Sequence, residues 1–369
     1  MKKKALLIGT LPPPIDGMSK TTLAVFDALN KYFELDSIDL SRPQISRNFN
    51  SEIIRVIDIF KIYLRVLMLR KDYKFIYMTV SESRLGNFKD IILYFLLFRY
   101  LDKLTIHMLG GTGMITILNE QSIQSKLNKF FMKRMRNVIV EGNRGYDIFG
   151  SVFHKKNINV VPNFVDDYLY ITNDQCKHKF QNLKRINIIY LSNMIPEKGY
   201  EDLLNAIDAS PTDLLKKFKF NFVGGFQNED LKSDFNRRIK NLDMVNYLGE
   251  FIDGNEKKNL FMNSHIFILP TYYPYEGQPI SILEAYSTGC AVISTNHAGI
   301  PDIFKDGVNG YLIEKQSPES IVKCFQTIAL NIEMLEIFAK NNLMHAESMH
   351  KKHRYQKEIV KIFTNEYLN

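Results

Sequence analysis

Short apolar, β-rich runs alternate with helix-length segments from one end of the chain to the other, and no other feature limits the fold as much. The runs fall at residues 4–10, 35–40, 75–80, 104–109, 137–141 and 158–161, and the pattern restarts at 186–191, 218–223, 245–248, 266–269, 291–294 and 311–313. Strands that alternate with helices build βαβ units, hence parallel sheets with helices on both faces. A chain of 369 residues exceeds one ordinary core, so two doubly wound α/β domains are expected. Their join is expected within residues 162–184, where PNFVDDYLYITNDQCKHK loses clear periodicity and carries turn formers. The last segment, 344–369, is charged and helical in tone. Its ordinary reading is a solvated terminal helix in which Ile359, Val360, Ile362 and Phe363 can pack.

Composition narrows the class of partner. With 45% apolar and 24% charged residues the chain reads as a folded, soluble protein. Cys176, Cys290 and Cys324 are far apart and form no C-x-x-C, which fits a reducing cytoplasm. The apolar stretch after the basic MKKK is too short for a secretory signal, and the run at 91–98 is too short to span a membrane. The net charge of +8 is uneven: residues 1–163 hold 25 Lys and Arg against 14 Asp and Glu. The first half therefore suits an anionic partner. No zinc-finger spacing, RNP-like strand or long basic tail supports nucleic acid, which leaves a membrane surface or a phosphate-bearing acceptor.

The best functional clue is EGQPISILE, where Glu276 and Glu284 stand eight positions apart. A helix beginning near Ile280 or Ser281 places Glu276 in the loop facing its N-terminus and Glu284 about one turn inside, so both can face one ligand. Free backbone N–H groups at the helix start offer a seat for phosphate between them. A ligand with hydroxyls at both ends and phosphates in the middle, such as a nucleotide diphospho-sugar, satisfies all three elements. Glu284 lies in the apolar ISILEAY, where an unpaired buried carboxylate is costly, and this points to a ligand or partner.

The run YEGQPISILEAYSTGCAVISTNHAGIPDIFKDGVNGYLI, with PPPIDG near the start, VVPNFVD mid-chain and LSNMIPEKG after it, resembles glycosyltransferase family 4. The resemblance covers nearly the whole chain and is strongest over residues 157–313. It implies the GT-B fold, two Rossmann-like doubly wound domains facing across a cleft: an acceptor-binding domain at 1–165 and a nucleotide-sugar-binding domain at 166–347. A C-terminal helix at about 348–369 is expected to pack back on the first.

The same resemblance assigns roles. Glu276 would serve the donor sugar and Glu284 the ribose hydroxyls, since a carboxylate accepts hydrogen bonds from vicinal hydroxyls. Gly277 permits a tight loop beside Gln278, and Ile280 and Ser281 would present N–H groups to the diphosphate. Lys198 stands where the family has a lysine on that diphosphate, suited to charge that builds on the leaving group. Asn193 occupies the place of the usual arginine, which shifts charge stabilisation onto Lys198 and the helix start. Gly249 and Glu250 end a strand where the family holds the base, and the 297–301 turn reads as structural. In the first half, Gly17 follows Asp16, where two adjacent glycines are usual; the loop is either a weakened phosphate cradle or a plain βα turn. His107 in TIHMLGGTG matches a histidine beside the reacting sugar, with N–H groups of Gly110, Gly111 and Gly113 nearby; a structural histidine is the competing reading.

Residues 126–136, KLNKFFMKRMR, set Phe130, Phe131 and Met135 among five cations. An amphipathic helix packing on a sheet is the ordinary reading, and contact with an anionic membrane surface the other. The expected activity is retaining transfer of a hexosyl group from a UDP- or GDP-sugar to a hydroxyl of a glycan or lipid-linked glycan, in bacterial surface polysaccharide synthesis. The expected setting is the cytoplasm, at the inner face of the plasma membrane. No D-x-D occurs, so no metal or other cofactor is expected. The alternatives are another sugar-nucleotide protein on this fold, an epimerase or phosphorylase, and a non-catalytic scaffold.

Overall fold

The computed structural model describes residues 2–13, 15–41, 49–69, 72–181 and 183–364, and of residues 49–56 the backbone alone. The chain divides into two compact units, residues 1–163 with 353–369, and residues 164–352.

In unit 1 the elements run β1 (Lys4–Gly9), α1 (Gly17–Asn30), β2 (Glu34–Asp39), α2 (Phe49–Leu67), β3 (Ile76–Val80), α3 (Arg84–Leu96), β4 (Leu104–Met108), α4 (Thr112–Asn119), α5 (Ile123–Met132), β5 (Asn137–Val140), α6 (Arg144–Phe149) and β6 (Ile158–Val160). The six strands form one parallel sheet in the order β2-β1-β3-β4-β5-β6. β3, β4 and β5 are buried at every position, as expected of strands covered on both faces.

Unit 2 contains α7 (Asn173–Lys179), β7 (Ile186–Leu191), α8 (Tyr200–Ala209), α9 (Thr212–Leu215), β8 (Phe218–Val223), α10 (Glu229–Ile239), β9 (Val245–Tyr247), α11 (Gly254–Met262), β10 (Ile266–Leu269), α12 (Ile280–Ser287), β11 (Ala291–Thr295), β12 (Gly310–Ile313), α13 (Pro318–Leu330) and α14 (Met334–Met349). Its parallel sheet runs β12-β11-β10-β7-β8-β9. The last helix, α15 (Lys352–Thr364), returns to unit 1. Tyr355, Ile359 and Phe363, spaced by four, are its buried residues, and the Phe363 ring sits 4.3 Å from that of Phe75 beside β3.

All twelve expected strands are present, each within a residue of the apolar run that announced it. The two Rossmann-like units are those of the GT-B class. Two local expectations change. The stretch without periodicity contains α7, which forms because Thr172 and Gln175 cap it reciprocally, so the local signal is a capping box and not an apolar stripe. Lys351 and Lys352 are not simply solvated: Lys351 lies over the Tyr170 ring and Lys352 pairs with Asp166 at 3.1 Å. The three cysteines are free and buried. Among the described residues no helix is long and apolar enough to cross a membrane.

Candidate active site

Strand order places the unit 2 site. β7 lies between β10 and β8, so the chain departs in opposite directions from β7 and β10, and this switch point is where open parallel sheets leave a crevice at the strand C-termini. Lys198 follows β7 and Glu276 follows β10. Lys198 Nζ donates to both carboxylate oxygens of Glu276, at 2.9 and 2.8 Å. The Thr271 hydroxyl donates to Glu276 Oε2 at 2.9 Å, and the Tyr273 ring centroid lies 4.7 Å from the ammonium. Glu276 is only 6% exposed, so the pair is mostly desolvated, where charge-assisted hydrogen bonds are strong and an unpaired partner is costly.

Glycines set this geometry. Gly199, directly after Lys198, has φ +82°, and a Cβ there would stand 2.2 Å from the Pro270 carbonyl oxygen. Only glycine lets the Lys198 turn approach the strand that leads to Glu276. Gly299 meets the Glu276 loop from another side, since its Cβ would fall 2.5 Å from the Gly277 carbonyl oxygen. His297 bonds the Tyr273 carbonyl through Nε2 at 2.8 Å, so the 297–301 turn braces the loop.

After Gly277, Gln278 is buried and Pro279 stands at the N-cap of α12. No side chain caps this helix; Ile282 N–H turns back to the Pro279 carbonyl, while no hydrogen bond within the described residues takes the N–H of Ile280 or Ser281. Both residues are half-buried, and their N–H groups sit at the positive end of the helix dipole. A lysine, an uncapped helix start and a buried carboxylate beside them can hold an anion next to a hydroxyl-bearing group.

Glu284 needs a correction. Its carboxylate is buried, but an internal partner accounts for it: Lys257 Nζ on α11 donates to it at 3.0 Å and lies 3.6 Å from Asp253. Burial works against the Lys257 charge, yet the carboxylates of Glu284 and Asp253 outweigh it and hold the ammonium above its ordinary pKa. A ligand is thus not required to explain a carboxylate inside ISILEAY. Lys257 stands in the charged stretch NEKKN and was not singled out in the sequence; only the packing of α11 on this unit reveals its partner.

Asn193 is exposed, with its backbone carbonyl accepting from Ile195 N–H at 2.8 Å and no bond from its side chain to Lys198 or Glu276. Gly249 has φ +118° with open space where a Cβ would stand, and its carbonyl accepts from Gly224 N–H. Glu250 is exposed and pairs with Lys232 at 2.8 Å. The structure thus joins Lys198, Glu276 and the α12 start. Thr271, Tyr273 and Gly299 complete that group; Gly299 lies in the 297–301 turn read as structural, while Thr271 and Tyr273, in the loop leading to Glu276, were not singled out in the sequence.

In unit 1 internal carboxylates and burial engage the groups considered for a ligand, and the geometry favours the competing readings of the α1 loop and of His107. Asp16 caps α1, accepting from Ser19 N–H at 2.8 Å while Ser19 Oγ accepts from Asp16 N–H. Gly17 is the first residue of the helix and is not among the described residues with positive φ, so the loop is a capped βα turn and not a phosphate cradle. The glycine loop after β4 is filled as well, because Glu82 Oε2 accepts from Gly111 and Gly113 N–H at 2.8 and 3.0 Å. His107 is wholly buried within β4. Its Nδ1 lies 2.7 Å from the Tyr77 hydroxyl, its Nε2 has no partner among the described residues, and burial pushes its pKa down to about 3. It is a neutral core histidine and presents no atom to a sugar. At the switch point of this sheet, between β1 and β3, lies a cavity of about 540 Å³ lined by Thr10, Asp16, Leu40, Ser81, Ser83 and Lys89 among others.

Residues 173–343 match the model of glycosyl transferases group 1, the segment that contains every unit 2 residue just described. That segment, a little under half of the chain, is similar to the group 1 glycosyltransferases. It is 25% identical over 306 residues to an uncharacterized glycosyltransferase of Methanocaldococcus jannaschii, covering 77% of this chain and 74% of the relative. It is 28% identical over 191 residues to the UDP-Gal:alpha-D-GlcNAc-diphosphoundecaprenol alpha-1,3-galactosyltransferase of Escherichia coli, covering half of this chain and 48% of that enzyme. The structure of Anabaena HepE in complex with UDP-glucose superposes with a TM-score of 0.70 at 15% identity, over 98% of this chain and 99% of HepE, a likeness of fold.

Proposed function

We propose that this chain is a glycosyltransferase that moves a hexosyl group, with retention, from a UDP- or GDP-sugar to a hydroxyl of a glycan or lipid-linked glycan in bacterial surface polysaccharide synthesis. The observation that carries the donor reading is the buried Lys198–Glu276 pair at the switch point of sheet 2, followed directly by the uncapped start of α12. The printed name of the Escherichia coli relative, a transferase from UDP-Gal to a diphosphoundecaprenol-linked sugar, and the UDP-glucose bound by HepE support it.

In this reading the diphosphate rests on the Ile280 and Ser281 N–H groups and on Lys198, and Glu276 accepts hydrogen bonds from sugar hydroxyls. As the sugar–phosphate bond breaks, negative charge grows on the leaving diphosphate, and a cation and oriented N–H groups stabilise that charge more than they stabilise the ground state. Glu276 holds the Lys198 ammonium in place before the donor arrives. Gly249 and Glu250 would hold the base, Asn193 would stand beside the diphosphate, and Glu284, held by Lys257, would serve the ribose. No metal enters this scheme. The acceptor would enter the unit 1 cavity at Thr10, Ser81 and Lys89.

Calorimetry with UDP and GDP, together with transfer assays of Lys198→Ala and Glu276→Ala, tests the proposal. Binding of one nucleotide and a sharp loss of transfer in both variants are expected; unchanged rates would remove both residues from the site. The same titration decides the scaffold alternative, which the filled glycine loop and buried His107 of unit 1 favour. Absence of binding to either nucleotide establishes that alternative.

A further inference from the structure

Three helices of unit 1 turn large apolar side chains to the outside in register. On α3, Leu85, Phe88, Ile92 and Phe95 are all exposed, from 44% to 86%, at spacings of three, four and three. On α2, Ile57, Phe60, Leu64 and Leu67 repeat those spacings and are likewise exposed. On α5, Ile123 and Phe130 face outward, seven positions apart. Residues spaced this way share one helix face, so these are continuous stripes. They adjoin one another, because α3 packs against both α2 and α5. Phe98, just after α3, stacks on Phe130 with ring centroids 6.4 Å apart and planes within 17°.

Between α3 and α5 lies a buried cluster of amides, beside the core residues Leu93, Tyr94, Phe131 and Met132. Asn87 of α3 exchanges hydrogen bonds with Asn128 of α5 at 3.1 and 2.7 Å, and Gln124 adds a bond to Asn87 at 2.8 Å. All three amides are 6% exposed or less. The amides and these core side chains already fill the inner side of the α3–α5 pair, so the leucine, isoleucine and phenylalanine on its outer side form a second apolar face that the fold leaves uncovered. An apolar face of this extent marks a surface that meets something other than water.

Charge indicates what that is. Residues 84–136 contain nine Lys and Arg against three Asp and Glu. Of the three acids, Asp90 is buried and Glu120 pairs with Arg84. Lys126, Lys133 and Arg134 of this segment are exposed, as are Lys61 and Arg65 on α2, and the Arg134 guanidinium lies 3.8 Å from the Phe130 ring centroid. Aromatic and aliphatic side chains bordered by cations with flexible stems match a bilayer interface, where the chains enter the acyl boundary and the cations meet anionic headgroups.

We propose that the outer face of α2, α3 and α5 docks on an anionic lipid bilayer. The face stands on its own observations; it shares with the proposed function only the expectation of a membrane-borne acceptor. The test is co-sedimentation of the full chain with phosphatidylcholine vesicles, with and without phosphatidylglycerol. Binding is expected to be about tenfold stronger with the anionic lipid, to fall with salt, and to drop about tenfold in Phe88→Ser/Phe95→Ser and in Lys126→Glu/Lys133→Glu. Each variant should keep the wild-type melting temperature, because these side chains are exposed. Absence of binding to anionic vesicles at low salt would overturn the proposal, as would binding that Phe88→Ser/Phe95→Ser leaves intact. A wild-type dimer that the same variant converts to monomer, with no lipid binding, would assign the face to a second copy of the chain instead. Lys198→Ala should bind vesicles normally, so failure at the donor site and failure at this face are read separately.

Discussion

Lys198 and Glu276 bind each other in the structure, and the proposed reaction needs both to bind a donor. Replacing Lys198 by Ala removes a charge stabiliser, and a loss of about 10²–10³ in transfer rate is expected in a steady-state assay. It also strands the Glu276 carboxylate, so the melting temperature should fall as well. Adding Glu276→Gln to that variant removes the stranded charge; stability should recover in part while transfer stays lost, which separates chemistry from folding. Gly299→Ala probes the same loop without touching a charge. Its Cβ would press on the Gly277 carbonyl oxygen at 2.5 Å, so the variant should stay folded by circular dichroism but bind nucleotide more weakly by calorimetry.

Among the elements, the contact of α11 with α12 depends on a buried ion pair. Lys257→Met leaves Glu284 buried without its cation, and a destabilisation of roughly 3–5 kcal/mol is expected in urea unfolding. Lys257→Met/Glu284→Met replaces both charges by apolar groups and should recover most of that loss. If Glu284 also serves a ribose, the double variant will be stable yet bind nucleotide poorly; unchanged binding would make the pair purely structural. The elements themselves were legible from one sequence because each strand is a short apolar run bounded by turn formers, and burial on both sheet faces leaves little freedom in composition. α7 was not, since its signal lies in the two side chains of its cap. The outward stripes of α2 and α3 went unread because spacing alone does not say which face of a helix is covered.

For the whole molecule, two consequences reach beyond any one element. His107 titrates near pH 6.5 in the unfolded chain and near 3 in the folded one, and burial, with a further contribution from the Lys179 charge, lowers His265 to about 4. The unfolded state therefore takes up protons first. Stability should fall as pH drops from about 6.5, by about 1.4 kcal/mol per pH unit for each histidine. Urea midpoints between pH 7 and 5 should show this slope, and His107→Gln should reduce it. The second consequence concerns α15. Removing residues 353–369 takes away Tyr355, Ile359 and Phe363 and uncovers Phe75 and Tyr77 in unit 1, so the truncated chain should aggregate or lose its cooperative melting transition.

By itself the sequence determined the two parallel sheets, all twelve strands and the loop-to-helix passage from Glu276 to Ser281, because periodicity and helix-start chemistry are local and survive in one chain. Only the tertiary structure decided which charged groups remain available to a ligand. Asp16, Glu82 and Lys257 each reach across a turn or between elements to satisfy a group that looked free in sequence, and a buried donor, acceptor or charge must find such a partner within the fold. The Lys198–Glu276 pair follows the same rule and differs in its place: it stands at a switch point, where sheet topology leaves a crevice beside an uncapped helix.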